Sequence, residues 1–207
     1  MANFNSAYDI IKVHEGGYVS KATAEKIKDS GGETYKGIAR NYNPAWKGWS
    51  IVDAYKAKNG IPKHGSYITS PELDFLVKGL AKVNYWDVVK LDNIKDQGVS
   101  NLMMDIAFNS GPSISAKSVQ RVLKLTADGK VGPITIEAIN KANPTTLLKD
   151  LVNYRTSWLT QVLKDKPQKV VAVLVARAQS YLVENANVAK GVSGVALLVG
   201  LGVAVFF

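Results

Sequence analysis

Two short segments of this 207-residue chain hold the residue types that acid–base chemistry on a polar substrate needs. The first is His14-Glu15-Gly16-Gly17-Tyr18. Ala7, Ile10, Ile11 and His14 recur at helical spacing, which predicts a helix from about Ser6 to His14 that the glycine pair stops. Glu15 then sits in the last turn against the negative end of the helix dipole, with Ile11 and Tyr18 near enough to reduce its hydration. Both effects favour the neutral carboxyl, and an acid kept neutral near pH 7 is suited to protonating a leaving oxygen. An exposed glutamate before a glycine stop is also a common, inert surface feature, so the local sequence leaves both readings open. The second segment, Asp29-Ser30-Gly31-Gly32-Glu33-Thr34-Tyr35-Lys36-Gly37-Ile38, places a carboxylate, a hydroxyl and an aromatic on a glycine-rich turn downstream of Glu15.

Other chemistries are poorly served. The absence of cysteine removes thiolate metal sites, cysteine nucleophiles, disulfide scaffolds and thiol redox work together. The two histidines, His14 and His64, stand fifty residues apart, so no paired-histidine centre is expected, and neither a metal nor a cofactor is implied. Lys and Arg number 26 against 17 Asp and Glu, a net charge of +9 that favours an anionic partner. The excess is spread along the chain without a basic run interleaved with aromatics, which argues against nucleic acid.

The elements that must position the two segments read as mainly α. Residues 18–49 are rich in glycine, lysine and aromatics, with turn signals at Asp29-Ser30-Gly31-Gly32 and Asn43-Pro44, and are expected to be a long irregular segment holding at most one short β-hairpin. Helices are predicted at Ile51–Lys58, at Pro71–Tyr85 with Ser70 as cap, and at Gln97–Asn109 behind Asp96. Further helices are predicted at Ile114–Leu125, Ile134–Lys141, Thr145–Lys164 and Gln168–Val188, each bounded by glycine or proline. The N-terminus shows neither a basic nor an apolar stretch of the secretory-signal kind. Gly191–Phe207 carries no charge and spans ~25 Å as a helix, close to the ~30 Å hydrocarbon core, so it is expected to be a transmembrane tail rather than a buried core helix. Its glycines would permit self-association in lipid.

Several ordered motifs together resemble glycoside hydrolase family 108, a lysozyme family of phages and bacteria. They are Glu15-Gly16-Gly17-Tyr18, then Asp29, Gly31-Gly32, Thr34 and Gly37-Ile38. Val83-Asn84-Tyr85-Trp86-Asp87, Asp105-Ile106-Ala107-Phe108-Asn109-Ser110-Gly111-Pro112 and Asp128-Gly129-Lys130-Val131-Gly132-Pro133 resemble the predicted peptidoglycan-binding domain that accompanies the family. The resemblance covers about residues 4–180 and implies two parts. They are a lysozyme-like catalytic domain over 1–90 and a helical peptidoglycan-binding domain packed on it over 91–183, to which the uncharged C-terminal stretch adds a third part outside the family pattern, a linker with the transmembrane tail over 184–207.

By the same resemblance the substrate is the β-1,4 bond between N-acetylmuramic acid and N-acetylglucosamine in peptidoglycan, and Glu15 is the general acid. The expected protein is a membrane-tethered muramidase serving host lysis by a phage or virion penetration, held on the host inner membrane facing the wall or on the internal membrane of a lipid-containing virion. The wall is anionic, and a net positive charge concentrates an enzyme there. Asp29 is the candidate for positioning water, with Thr34 as helper, although Asp29 capping its own turn through Ser30-Gly31 explains the residue equally well. Tyr18, Tyr35 and Trp86 are candidates for lining a sugar groove, with core packing the stronger reading for Trp86. Asn109 is a candidate for binding an acetamido group, with a helix C-cap as the competing reading. A lytic transglycosylase and a non-catalytic peptidoglycan-binding structural protein are the alternative functions.

Overall fold

The computed structural model describes residues 1–12, 16–26 and 29–189 of the chain. It is mostly helical and resolves into two compact units, His14–Ala81 and Met1–Val13 with Lys82–Phe207. The N-terminal helix α1 (Phe4–Lys12) therefore belongs with the later helices.

In the first unit the glycine-rich segment forms a three-stranded antiparallel sheet of two-residue strands, β1 (Tyr18–Val19), β2 (Thr34–Tyr35) and β3 (Ile38–Ala39), in the order β1-β2-β3. Tyr35 faces Ile38 across a two-residue loop in which Lys36 and Gly37 both have positive φ, 45° and 75°. A hairpin of that length matches the strand twist only with both loop residues left-handed, and Gly37 adopts that conformation without a Cβ clash. The sequence predicts this hairpin; it does not predict α2 (Lys21–Lys26), which falls in the stretch read as irregular. A local signal was present: the Ser20 hydroxyl accepts the Thr23 N–H at 3.1 Å, the geometry of a helix N-cap.

Two longer helices complete this unit, α3 (Gly48–Asn59) and α4 (Pro71–Ala81). The Ser70 hydroxyl accepts the Leu73 N–H at 3.2 Å, so the predicted cap on the proline-led helix is present. Tyr18, Tyr35 and Ile38 of the sheet pack with Trp49 and Val52 of α3, Ile68, and Leu73 and Val77 of α4 in one buried cluster. Trp46 meets Trp49 edge-on at 5.2 Å between centroids.

The second unit is built around α5 (Gln97–Ser110), which buries Val99, Leu102, Met103, Met104, Ile106 and Ala107 and touches α1, α6 (Pro112–Val122), α8 (Pro144–Val162) and α9 (Gln168–Ala189). Its start is fixed by Asp96, whose carboxylate accepts the Val99 N–H at 2.8 Å, and Asn143 caps α8 in the same way through Thr146 at 3.0 Å. The predicted helix over Pro71–Tyr85 stops at Ala81, and the chain widens into a π-helical turn over Lys82–Asp87. α7 (Pro133–Lys141) comes after the Asp128-Gly129 turn, which Gln120 of α6 ties down by donating to the Asp128 carboxylate at 2.7 Å and accepting the Gly129 N–H at 3.0 Å. That turn is a connection between helices. Leu159 and Leu163 pack against Leu174 and Ala178 to hold α9 on α8.

Residues 191–207, expected to be a transmembrane helix, lie outside the described residues. Among the described residues no helix is long and apolar enough to cross a membrane.

Candidate active site

Glu15 and His14 lie outside the described residues, and the described chain resumes at Gly16. Tyr18 donates its N–H to Ser66 O at 2.8 Å and accepts from the Gly65 N–H at 2.8 Å, while the Gly17 carbonyl accepts the Lys36 N–H at 3.4 Å. This backbone clamp leaves no room beside Gly17: a Cβ there would overlap the carbonyl groups of Gly65 and Ser66. At Gly16 nothing lies within 4 Å of the same point. Gly17→Ala is therefore expected to cost about 2 kcal/mol or more through displaced backbone, and Gly16→Ala to stay within about 0.5 kcal/mol, a contrast that paired thermal melts would read. The glycine pair thus has one obligatory member, and it fixes the strand that leads away from position 15.

The Asp29 turn sits in the same unit. The Asp29 carboxylate accepts the Gly31 N–H at 2.8 Å, so the residue does cap its own turn. Among the described residues only one of its carboxylate oxygens is committed in this way. Thr34 is buried in β2 and donates its hydroxyl to Gly32 O at 3.0 Å, while the Gly32 N–H reaches the Asp29 carbonyl at 3.4 Å. The Asp29 main chain and the Thr34 hydroxyl are thus both bonded to the backbone of Gly32.

The aromatic candidates are corrected. Tyr18 is 2% exposed, and Tyr35 and Trp86 are fully buried, so their ring faces are covered by protein and none lines a groove. The Tyr35 hydroxyl donates to Ile68 O and accepts the Ile68 N–H, both at 3.2 Å, and the Trp86 indole donates to Asp92 at 2.7 Å. Each polar tip finds a partner inside the fold, which is why such large rings are tolerated there. Trp86 and Asn109 belong to the second unit. Asn109 lies in the last turn of α5, where its amide donates to Asp105 O at 2.8 Å and to the Asp105 carboxylate at 3.3 Å; Gly111 is the C-cap.

Sequence reasoning missed the charged cluster beneath the sheet. Glu33, 7% exposed, accepts from the Tyr18 hydroxyl at 2.5 Å, from Lys56 Nζ at 2.6 Å and from Arg40 Nη1 at 3.1 Å. Asp53 on α3 closes the network, 2.9 Å from Arg40 and 2.8 Å from Lys56, and the Arg40 guanidinium lies over the Trp49 ring at 4.3 Å. Burial, and then the bond to Glu33, push the Tyr18 hydroxyl well above the ordinary tyrosine range. Burial works against the charge on Asp53 and on Lys56, yet the hydrogen bonds between them and to Arg40 and Glu33 win, holding Asp53 below the usual aspartate value and Lys56 above the usual lysine value. Asp53 and Lys56 fall one helical turn apart and were legible as a pair; the burial of Glu33, next to Thr34, was not.

Among the described residues no group of three or more acidic or histidine side chains is arranged to hold a metal ion.

A family model described as Glycosyl hydrolase 108 matches residues 8–111, half of the chain. Among solved structures, one reported as the structure of Brucella abortus SagA is similar with a TM-score of 0.56 at 24% identity, over 88% of this chain and 97% of that one, a likeness of fold. No protein with a curated description matches.

Proposed function

The chain belongs to the glycosyl hydrolase 108 family, a membership that supports a lysozyme-like peptidoglycan hydrolase, and from that premise we propose that it is a muramidase cleaving the β-1,4 bond between N-acetylmuramic acid and N-acetylglucosamine. Glu15 is the general acid, Asp29 positions the attacking water, and Thr34 assists it. The observation that carries this reading is the family match over residues 8–111, which takes in Glu15-Gly16-Gly17-Tyr18 and the Asp29–Thr34 turn in order. The bond from the Gly31 N–H to one oxygen of the Asp29 carboxylate orients that group on its turn, which supports the water-positioning role.

Hydrolysis delivers a proton to the glycosidic oxygen and hydroxide from water to the sugar carbon, so each cut leaves a reducing end. Digests of purified sacculi, separated and weighed by mass spectrometry, are expected to show reducing muramic acid ends. Anhydromuramic ends would transfer the chain to the transglycosylase reading, in which a substrate hydroxyl closes the ring and no water is needed.

The tether belongs to the same proposal. Residues 191–207 are uncharged and long enough to approach a membrane span, and their glycines would allow close packing of two such segments. On this reading the protein works at a membrane surface facing the wall, and its positive charge helps to concentrate it on anionic polymer.

A further inference from the structure

With Tyr18 and Tyr35 buried, an exposed aromatic still stands beside the turn that carries Asp29. Tyr42 is 57% exposed. It is nevertheless held in place: its hydroxyl shares a hydrogen bond with Ser30 Oγ at 2.5 Å, and its N–H bonds to Ala39 O at 3.2 Å. The adjacent Asn41 joins the two turns, its N–H donating to Gly31 O at 3.1 Å and its amide to Ser30 O at 2.9 Å.

The ring and the Asp29 carboxylate both approach Gly31. A Cβ built at Gly31 would lie 2.8 Å from Ala39 Cβ, 3.2 Å from Asp29 Oδ1 and 3.6 Å from Tyr42 Cε2, so the chain is closely packed there and the edge of the Tyr42 ring is held beside the Asp29 turn. An exposed aromatic normally has several rotamers; this one is pinned at its tip and loses little freedom when a ligand covers it. Tyr67, comparably exposed, instead has its ring 5.4 Å from the Lys36 ammonium.

We propose that Tyr42 is a substrate-binding residue whose exposed ring stacks on the apolar face of an N-acetylhexosamine ring of the glycan next to Asp29. The inference rests on the reading that Asp29 belongs to the active site, and it assigns the sugar platform to a residue outside the family motif. A pyranose presents axial C–H groups on one face, which pack on an aromatic ring while its hydroxyls stay at the rim. The hydroxyl of Tyr42 is already committed to Ser30, so the ring, and not the phenol, does the binding.

The test is equilibrium binding of an N-acetylglucosamine tetrasaccharide to the full chain, monitored by chemical-shift changes, which needs no turnover. Y42A is expected to bind about tenfold more weakly, and Y42F to fall between it and the wild-type chain, because the stacking face remains while the tie to Ser30 that holds it is lost. On sacculi the same Y42A change is expected to raise KM while kcat holds within about twofold. Equal tetrasaccharide affinity of the wild-type chain and Y42A overturns the proposal whether or not the protein cleaves peptidoglycan. Weakened binding in Y42A from a wild-type chain that cleaves nothing would uphold the platform and reject the hydrolase reading instead.

Discussion

Glu15→Gln is expected to stop the dissolution of purified sacculi while leaving the protein able to sediment with them. The bond to be broken joins two sugars through an oxygen that would otherwise depart as a strongly basic alkoxide. A proton delivered in the transition state removes that charge, and general acid catalysis of this kind contributes ~10²–10⁴-fold. Glutamine keeps the shape and hydrogen-bonding reach of the side chain but has no transferable proton, so binding survives and chemistry does not. Turbidity loss of sacculi suspensions measures the chemistry and pelleting measures the binding. Lysis at the native rate by the amide variant would remove Glu15 from the mechanism, and with it the acid on which the muramidase reading turns. The clamp on Gly17 gives the residue a physical context: the strand that begins three positions after Glu15 is fixed to Gly65 and Ser66.

Glu33→Ala is expected to be strongly destabilising to the first unit. It would leave Lys56 and Arg40, each less than one third exposed, to share the one remaining carboxylate of Asp53, and it would strand the Tyr18 hydroxyl, whose acceptor Glu33 is, inside the fold. Breaking a buried ion pair by removing one partner costs about 3–5 kcal/mol, because the uncompensated charges stay desolvated. For a chain of this length that corresponds to a fall in Tm of about 10 °C. Asp53→Ala is the comparison: that carboxylate is about half exposed, at 49%, and its loss is expected to cost under about 1 kcal/mol. Chemical and thermal denaturation of the two variants side by side would decide the matter. Equal, small losses would mean that the cluster is ordinary surface charge and not the post that holds β2, and Thr34 with it, against α3.

Much of the helical framework was legible because helix ends are local. Asp96, Ser70 and Asn143 each cap through a bond spanning three residues, and a sequence window of that width contains both partners. The same holds for Asp29, whose bond to the Gly31 N–H spans two residues, whereas the hairpin was expected only somewhere in residues 18–49 and its turn falls at Lys36-Gly37, away from the turn signals at Asp29–Gly32 and Asn43-Pro44. The short helix α2 was missed although its cap, Ser20 with Thr23, is equally local; the surrounding lysines and glycines masked it.

The tyrosines went the other way. Tyr18, Tyr35 and Tyr42 stand within 25 residues on one glycine-rich stretch, and nothing in that stretch says which ring meets solvent. Tyr35 is buried because Ile68, 33 positions away, supplies both a donor and an acceptor for its hydroxyl, and Tyr18 because Glu33 accepts from it across the sheet. Tyr42 stays outside because its partner, Ser30, is itself on the surface turn. From its residues alone the chain declares most of its helical segments and many of their caps, since these depend on neighbours a few positions apart. Which aromatic face is free, and that a glutamate beside Thr34 is buried among cations, was decided only when α3 and the Ile68 loop closed over the sheet, because exposure is a property of distant chain brought together and not of any one segment.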